Sequence, residues 1–338
     1  MTITTLGIDL SKNIFQLHGV DERGKAVLKK KLRRNELMKL IANLSPCLIG
    51  VESCSTANFW SRQFKKHGHT VKQMPPQYVK PFVKTNKNDP NDAEAICEAV
   101  QRPNMHFVPD KTIAQQDIQS AHRIRSRLVR VRTALSNEMR GLLSEYGVSL
   151  PVGIKTLKKR IPEVLADETN DLTAFTRELI SGLVNELIEV ESHIALFDQK
   201  IKGVFDSSEI CKRLSKIEGV GPITATAIIA SVGDPSVFKN GRQMAAWIGL
   251  VPRQSSSGGK TTLLGISKRG DCYLRSLLIH GGRSVVRDAA KKDDSRSRWV
   301  AEKATMRGKN KAAVAVANKN ARIIWKMMKS GEAYRPAA

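Results

Sequence analysis

The chain has 338 residues, of which 56 are Lys or Arg and 32 are Asp or Glu, so its formal net charge is +24 and its pI is near 10.0. This positive excess favours a polyanionic partner, with nucleic acid as the first candidate, over a small neutral substrate. The sequence has no apolar run of roughly eighteen residues and no basic-then-apolar leader, which argues against a membrane span and a signal peptide and favours a cytoplasmic, nucleoid-associated protein.

Five cysteines and seven histidines are dispersed along the sequence. None of the cysteines forms a CxxC pair. The sequence therefore predicts neither a disulfide framework nor a zinc site.

Strand and helix patterns alternate in the first hundred residues. Two-residue alternation places Asp9 on the face of Gly7 and Glu52 on the face of Gly50, with each acid at the end of an apolar strand. The pattern predicts a mixed α/β sheet of order βββαβαβα, with strands at 5–10, 14–20, 25–32, 47–52 and 69–74 and helices at 35–44 and 56–68.

The stretch NKNDPNDAEAI, residues 86–96, carries two further acids. Asp89 followed by Pro90 is typical of a helix start, with Asp89 as the cap and Pro90 as the first helical residue. Asp92 then lies three residues after Asp89 on one helix face, so their carboxylates would converge. From this stretch alone, helix capping and a metal site both stay open.

The four acids together favour the metal site. The first and fourth strands of such a sheet are commonly neighbours, which would bring Asp9 and Glu52 to one edge with the helix start of Asp89 and Asp92 closing over them. In so basic a protein, four gathered carboxylates predict a pair of Mg²⁺ ions, with Mn²⁺ as the alternative, used in phosphoryl transfer.

Two long helical patterns follow the predicted sheet. The first spans 112–146 and is rich in arginine, and 148–163 is a Pro- and Gly-containing interruption. The second pattern predicts a coiled coil or dimerisation arm, with a bundle inside one domain as the alternative. Its apolar seam consists of Phe175, Leu179, Leu183, Leu187, Val190, Ile194, Phe197, Ile201 and Val204.

The last third of the chain is basic and begins with a glycine turn. LSKIEGVGPITATAIIASVG, from Leu214, resembles a helix-hairpin-helix segment in which Gly219 and Gly221 present N–H groups to a phosphate, and a tight turn that needs glycine is the alternative. Residues 253–338 carry twenty Lys and Arg against six Asp and Glu, a net +14. We predict three domains, at 1–110, 111–207 and 208–338.

Three motifs carry a resemblance to a known family. GIDLSK, VESCS and KNDPNDA resemble, in order and spacing, the DEDD motifs of insertion-sequence transposases numbered 110, including the 1111 subgroup. The resemblance implies an N-terminal RuvC-like (RNase H-fold) domain, a coiled coil and a C-terminal, mainly helical transposase domain. It also implies that Asp9, Glu52, Asp89 and Asp92 are the metal-binding acids.

The segment GLVPRQSSSGGKTTLLGISKRGDCYLR, residues 249–275, resembles the part of these transposases that holds a serine nucleophile. The resemblance implies that Ser257 is this nucleophile, while Ser255 and Ser256 stay alternatives. Positive charge close in sequence would help a serine hydroxyl to react. The flanking cations are Arg253, Lys260, Lys268, Arg269 and Arg275.

The family's properties imply a function for the whole chain. We expect a transposase or recombinase that cleaves and exchanges DNA strands through a phosphoserine link. It is expected to work as a homodimer or homotetramer in which the acids and the serine come from different protomers. A structured RNA is expected to guide it. Contacts with RNA and DNA are expected at Arg123, Arg125, Arg127 and Arg130, at Gly219 and Gly221, and at the cations that flank the serine: Arg253, Lys260, Lys268, Arg269 and Arg275. The alternatives are a RuvC-like junction resolvase without serine chemistry and a non-enzymatic architectural binder.

Overall fold

The computed structural model describes residues 2–84 and 89–335, and of Asp89 it describes the backbone. The chain divides into two compact units. The first consists of Met1–Ile113 with Gly233–Val237, and the second of Ala114–Val232 with Phe238–Ala338.

A five-stranded mixed sheet forms the centre of the first unit. In chain order the elements are β1 Thr5–Asp9, β2 Ile14–Val20, β3 Ala26–Arg33, α1 Arg34–Ala42, β4 Leu48–Glu52, α2 Ala57–Lys66 and β5 Thr70–Met74. The strand order in the sheet is β3-β2-β1-β4-β5; β2 pairs antiparallel with β1 and β3, whereas β4 pairs parallel with β1 and β5. Parallel neighbours need a crossover connection, which α1 provides before β4 and α2 provides after it. The predicted order of these elements and the pairing of the first and fourth strands are confirmed.

The two faces of the sheet are covered by different helices. On one face, Ile8 and Val51 pack with Trp60 of α2 and with residues of α1. The other face is covered by α4 (Asp89–Val100), which follows the short helix α3 (Pro76–Val79) and a 3-10 turn at Lys80–Phe82. The glycines and acids of β1 and β4 lie on this second face, because they alternate with the buried Ile8 and Val51.

The second unit begins with a helical hairpin. Helices α5 (Ile113–Glu145) and α7 (Ala174–Ser207) run antiparallel, since Arg125 forms an ion pair with Asp198 while the Thr176 hydroxyl donates to the Tyr146 hydroxyl 2.9 Å away. Their interface buries Leu128, Leu135, Val190 and Ile194. A dimerisation arm stays a prediction.

Two details of the hairpin differ from the sequence-based prediction. The predicted interruption contains a helix, α6 (Ile154–Ala166), which packs Leu157 and Ile161 against α5 and α7. Phe175 and Leu179 of the predicted seam are 69% and 50% exposed, and Thr176 and Ile180 are buried in their place. The buried seam of α7 therefore begins one position later than the sequence pattern predicts.

The remainder of the second unit is mainly helical and packs around one main core and a smaller cluster of Val285, Ala289, Val300 and Val316. Buried members of the main core include Ile228, Met244, Leu278 and Ile324. The elements are α8 Glu209–Leu214, α9 Pro222–Val232, α10 Gly241–Trp247, β6 Pro252–Ser257, β7 Lys260–Ile266, α11 Cys272–Asp288, α12 Ser295–Arg307 and α13 Lys309–Ser330. No helix in the described part of the chain is both long and apolar enough to span a bilayer.

Candidate active site

Two of the predicted acids lie at one edge of the sheet. The parallel pair β1 and β4 has the register Gly7↔Gly50 and Ile8↔Val51, so Asp9 and Glu52 follow the last paired positions of adjacent strands. Both acids are half-buried. The prediction that these residues are neighbours at a strand-end edge is confirmed by this register.

Helix α4 directs its first turn to the same edge. Across β1, the Cys97 thiol lies 3.8 Å from the Thr5 carbonyl oxygen, and a Cβ on Gly7 would lie 2.3 Å from the Ala93 carbonyl oxygen. Later residues of α4 therefore lie beside earlier residues of β1, and the helix runs antiparallel to the strand. Its N-terminal turn, which contains Asp89 and Asp92, points toward the end of β1 that carries Asp9.

Glycine makes this close approach feasible. A Cβ on Gly50 would lie 2.8 Å from the Val100 Cβ, so both strands meet α4 at a residue without a side chain. Real Cβ atoms essentially never approach other atoms so closely. The sequence contains a signal for this approach, because Gly7 and Gly50 precede Asp9 and Glu52 by two residues and lie on the same strand face as these acids.

The donor set suits a hard divalent cation. Aspartate and glutamate oxygens are the ligands that Mg²⁺ and Mn²⁺ prefer. The Asp89 side chain lies outside the described residues, and among those described no three His, Cys, Asp or Glu side chains come together closely enough to hold a metal ion. The backbone thus fits the predicted site, while a closed carboxylate cluster is not present among these residues.

Other acids of α4 have a structural role. Glu94 forms ion pairs with Lys84 at 3.5 Å and Lys29 at 4.0 Å, and its carboxylate lies 3.8 Å from His18. Glu98 pairs with Lys84 at 3.0 Å, and this contact lowers the pKa of Glu98. These pairs tie α4 to the neighbouring strands and to the segment before it.

Ser257 lies beside the turn of an exposed β-hairpin. Strands β6 and β7 pair antiparallel with Ser257 opposite Lys260, and Gly258 and Gly259 form the turn with φ of +55° and +77°. Such a two-residue turn needs positive φ, which glycine provides. All of β6 is solvent-exposed, and so is Leu263 on β7, with 65% of its surface exposed. The alternative nucleophiles lie on the same strand, opposite Thr262 (Ser255) and Thr261 (Ser256).

The base of the hairpin, in contrast, is closely packed. A Cβ on Gly249 would lie 2.0 Å from the Arg269 carbonyl oxygen, and one on Gly270 would lie 1.9 Å from that of Trp247. The guanidinium of Arg275, which is 8% exposed, donates to the carbonyl oxygens of Ile248 at 3.0 Å and Arg269 at 3.1 Å. Arg275 therefore holds the two ends of the hairpin together.

The other predicted nucleic-acid contacts differ in accessibility. Arg125 is half-buried and paired with Asp198, whereas the remaining predicted cations are exposed: Arg123, Arg127, Arg130, Arg253, Lys260, Lys268 and Arg269. Gly221 is open at the start of α9. Gly219 has φ of +82° and packs against α11, where a Cβ would lie 2.7 Å from the Gly281 carbonyl oxygen, so its backbone position requires glycine. A phosphate contact at Gly219 and Gly221 stays a prediction.

A buried histidine joins three elements of the second unit. His122 of α5 has Nδ1 3.0 Å from the Tyr273 hydroxyl and Nε2 3.0 Å from the Thr226 hydroxyl. Burial, helped by the charge of Arg125, lowers the pKa of His122 to about 4. The ring is therefore neutral at pH 7, and it stands at a pocket that Arg123 and Arg130 also line.

Comparison with known proteins assigns the family. The profile of a DEDD-type transposase domain matches residues 6–148, and that of the transposase IS116/IS110/IS902 family matches residues 211–298. The chain is 48% identical to a probable family 20 transposase of Pseudomonas aeruginosa, covering 99% of this chain and 100% of the relative. It belongs to the IS110/IS116 family of DEDD transposases.

Further relatives support this assignment. The transposase for insertion sequence element IS1111A of Coxiella burnetii is 45% identical over 99% of this chain and 92% of its own length. The transposase for insertion sequence element IS1328 of Yersinia enterocolitica is 39% identical over 98% of both chains. As a transposase of this family, the protein is a DNA-cleaving and recombining enzyme. Its mixed sheet fits the RNase H-like fold of the DEDD domain, which typically depends on a divalent metal.

Proposed function

We propose that this transposase excises and inserts its insertion sequence through a covalent phosphoserine intermediate. One observation carries the proposal: the neighbouring parallel strands β1 and β4 end in Asp9 and Glu52, and the first turn of α4 points to the same edge. A metal site at this edge would have an evident use in a protein with a charge of +24 that acts on DNA phosphates.

The acids would hold a divalent metal. Asp9, Glu52, Asp89 and Asp92 supply oxygen ligands, and a Mg²⁺ or Mn²⁺ ion bound there would neutralise charge on the reacting phosphate. Carboxylates at one edge repel one another in the absence of a cation. These four residues would position the metal, and Gly7 and Gly50 let α4 approach the strands so that its first turn lies toward the edge with Asp9 and Glu52.

Ser257 would be the nucleophile. Its Oγ attacks a phosphodiester phosphorus, an Oγ–P bond forms, and the bond from phosphorus to one deoxyribose oxygen breaks. The serine proton leaves, and the departing oxygen takes up a proton to become a hydroxyl. Resealing reverses these changes when a hydroxyl of another strand attacks the phosphoserine.

The position of the serine supports this role. Ser257 is exposed beside a glycine turn, with Lys260 opposite it and Arg253 on the same strand, so a DNA phosphate can approach without displacing a folded core. The nearby positive charges attract the phosphate. A two-stranded hairpin alone has marginal stability in water, and contact with DNA or another protomer would stabilise it.

The assembly and its guide remain part of the proposal. We infer that acids and serine are contributed by different protomers of a homo-oligomer, and that a structured RNA pairs with the target. The net charge of +24 and the exposed Arg123, Arg127 and Arg130 favour extensive contact with nucleic acid.

The test is a trap for covalent protein–DNA adducts. Purified protein with co-expressed RNA and Mg²⁺ is incubated with a nicked substrate, and wild type is compared with Ser257→Ala and Asp92→Ala. A denaturation-resistant adduct in the wild type, absent from both variants, supports the proposal. Cleavage by Ser257→Ala without any adduct would instead support a RuvC-like nuclease, which needs only the acids.

A further inference from the structure

A large groove in the second unit lies at the base of the serine hairpin. It has a volume of about 1090 Å³ and lies among α10, α12, α13 and the residues that follow α13. Pro252 and Ile266, the paired outer ends of β6 and β7, line it. Six strand residues of about 3.3 Å rise place Ser257 roughly 17 Å along the hairpin from this groove.

The rim of the groove is strongly basic. Glu332 is the single acid among the described lining residues. Within residues 2–84 and 89–335, none of the six following cations forms an ion pair with a carboxylate. They are Arg242, Lys311, Lys319, Arg322, Lys326 and Arg335.

Crowding of these charges is visible at Lys319. Burial, together with the charges of Arg296 and Arg322, lowers the pKa of Lys319. Its ammonium lies 4.5 Å from the ring centroid of Trp299, on which it rests as a cation–π contact. A bound anion would relieve the repulsion among these side chains.

The floor of the groove is aromatic and apolar. Trp299 and Trp325 line it together with Ile323, and both tryptophans are half-buried. Proteins that bind unpaired nucleic acid combine positive side chains along the phosphate backbone with aromatic rings. The rings bind because unpaired bases have exposed faces that stack on them. In a duplex the bases are stacked on each other, and only phosphates and groove edges are presented.

We propose that this groove binds an unpaired DNA strand and leads it toward Ser257. The proposal rests on the proposed function, in which strand cleavage releases unpaired DNA beside the hairpin. Phosphates lie along Arg322 and Lys326, which are four residues apart on α13, and bases pack against the tryptophans of the floor.

The test compares charge reversals on two helices of the full-length chain. Arg322→Glu/Lys326→Glu changes the groove, and Lys155→Glu/Lys159→Glu makes the same charge change at the same four-residue spacing on exposed positions of α6. Fluorescence anisotropy measures the Kd for labelled single-stranded DNA, for the duplex and for single-stranded RNA of the same sequence. Circular dichroism verifies that both variants are folded.

The groove variant is expected to raise the Kd for single-stranded DNA at least tenfold, and the α6 variant less than threefold. The slope of log Kd against log salt should fall by about 1.4 in the groove variant, for two lost phosphate contacts. Equal losses in both variants would overturn the proposal, as would a larger loss for the duplex or for RNA than for single-stranded DNA.

Substitutions at Trp299 provide a second measurement without a charge change. Trp299→Leu should weaken binding of single-stranded DNA about fivefold or more, because a base–ring stack is lost. Trp299→Phe keeps a ring and should stay within threefold of wild type; equal losses in both variants would contradict stacking. These assays need no strand cleavage, so they can be repeated in a Ser257→Ala chain. Failure of the groove proposal would therefore leave the adduct result unaffected.

Discussion

Gly7 of β1 and Ala93 of α4 are in direct backbone contact: a Cβ on Gly7 would lie 2.3 Å from the Ala93 carbonyl oxygen. This contact fixes how closely α4 approaches the strand that carries Asp9. The geometry of the acidic edge therefore depends on a residue that has no side chain.

Gly7→Ala tests this dependence. The added methyl group forces α4 away from β1, so we expect the free energy of unfolding to fall by about 1–3 kcal/mol and DNA cleavage to be lost. Urea unfolding and a strand-cleavage assay measure the two effects. The matched control is Gly182→Ala on α7, where no atom lies within 4 Å of the new Cβ; helix propensity should make it more stable by about 0.5–1 kcal/mol. A Gly7→Ala protein with wild-type stability and cleavage would refute the account of this contact.

Two acids of α4 separate catalysis from stability. Asp92→Asn is expected to abolish cleavage with little effect on stability, because its carboxylate is a proposed metal ligand. Glu94→Gln loses ion pairs with Lys29 and Lys84, which are exposed lysines, and should cost less than about 1 kcal/mol while cleavage continues. Cleavage rates and unfolding curves of both variants provide the measurement. If Glu94→Gln were as inactive as Asp92→Asn, the assignment of their different roles would be wrong.

Arg275→Lys distinguishes a structural arginine from a DNA contact. Lysine cannot donate to the carbonyl oxygens of Ile248 and Arg269 in the same fork, so stability should fall by about 2–3 kcal/mol. Arg253→Lys on exposed β6 is the control and should leave stability unchanged. Thermal unfolding and DNA affinity are measured for both. Weaker DNA binding by Arg275→Lys with unchanged thermal stability would show that Arg275 acts on nucleic acid.

His122 should make the stability of the protein depend on pH. Its folded pKa of about 4 lies below the ordinary histidine pKa of 6.5, so the unfolded chain takes up a proton first as the pH falls. This group costs no stability above pH 6.5, and its penalty grows as the pH falls toward 4, reaching about 2 kcal/mol near pH 5. Between about pH 7.5 and 5, the free energy of unfolding of His122→Gln should therefore fall by about 2 kcal/mol less than that of wild type. Equal losses in urea unfolding would exclude a buried neutral His122.

The sheet and its acidic edge could be predicted from the sequence because local pattern and topology agree. Alternation placed Gly7 with Asp9 and Gly50 with Glu52, and the strand order made β1 and β4 neighbours. The closeness of α4 to the sheet could not be predicted, because it follows from which residues of α4 meet the two glycines. Proximity of the carboxylates also depends on charge and bound cations, which the residue pattern does not specify.

The second unit was harder to predict, for identifiable reasons. Helix α6 contains Pro162 and follows Gly153, two residues that ordinarily interrupt helices, yet burial of Leu157 and Ile161 stabilises it. The serine hairpin has little apolar patterning, and its one local signal is the Gly258–Gly259 turn between strands rich in serine and threonine. Arg275 resembled its exposed cationic neighbours in sequence, and only tertiary packing distinguishes it.

The most direct test of the central claim is to locate the DNA-linked residue. The trapped adduct is digested with nuclease and protease, and mass spectrometry identifies the peptide residue that carries the remaining nucleotide phosphate. We predict that this phosphate is on Ser257, and that Ser255→Ala and Ser256→Ala still form the adduct while Asp9→Asn does not. A nucleotide on another residue, or an adduct that persists in Asp9→Asn, would contradict metal-dependent attack by Ser257.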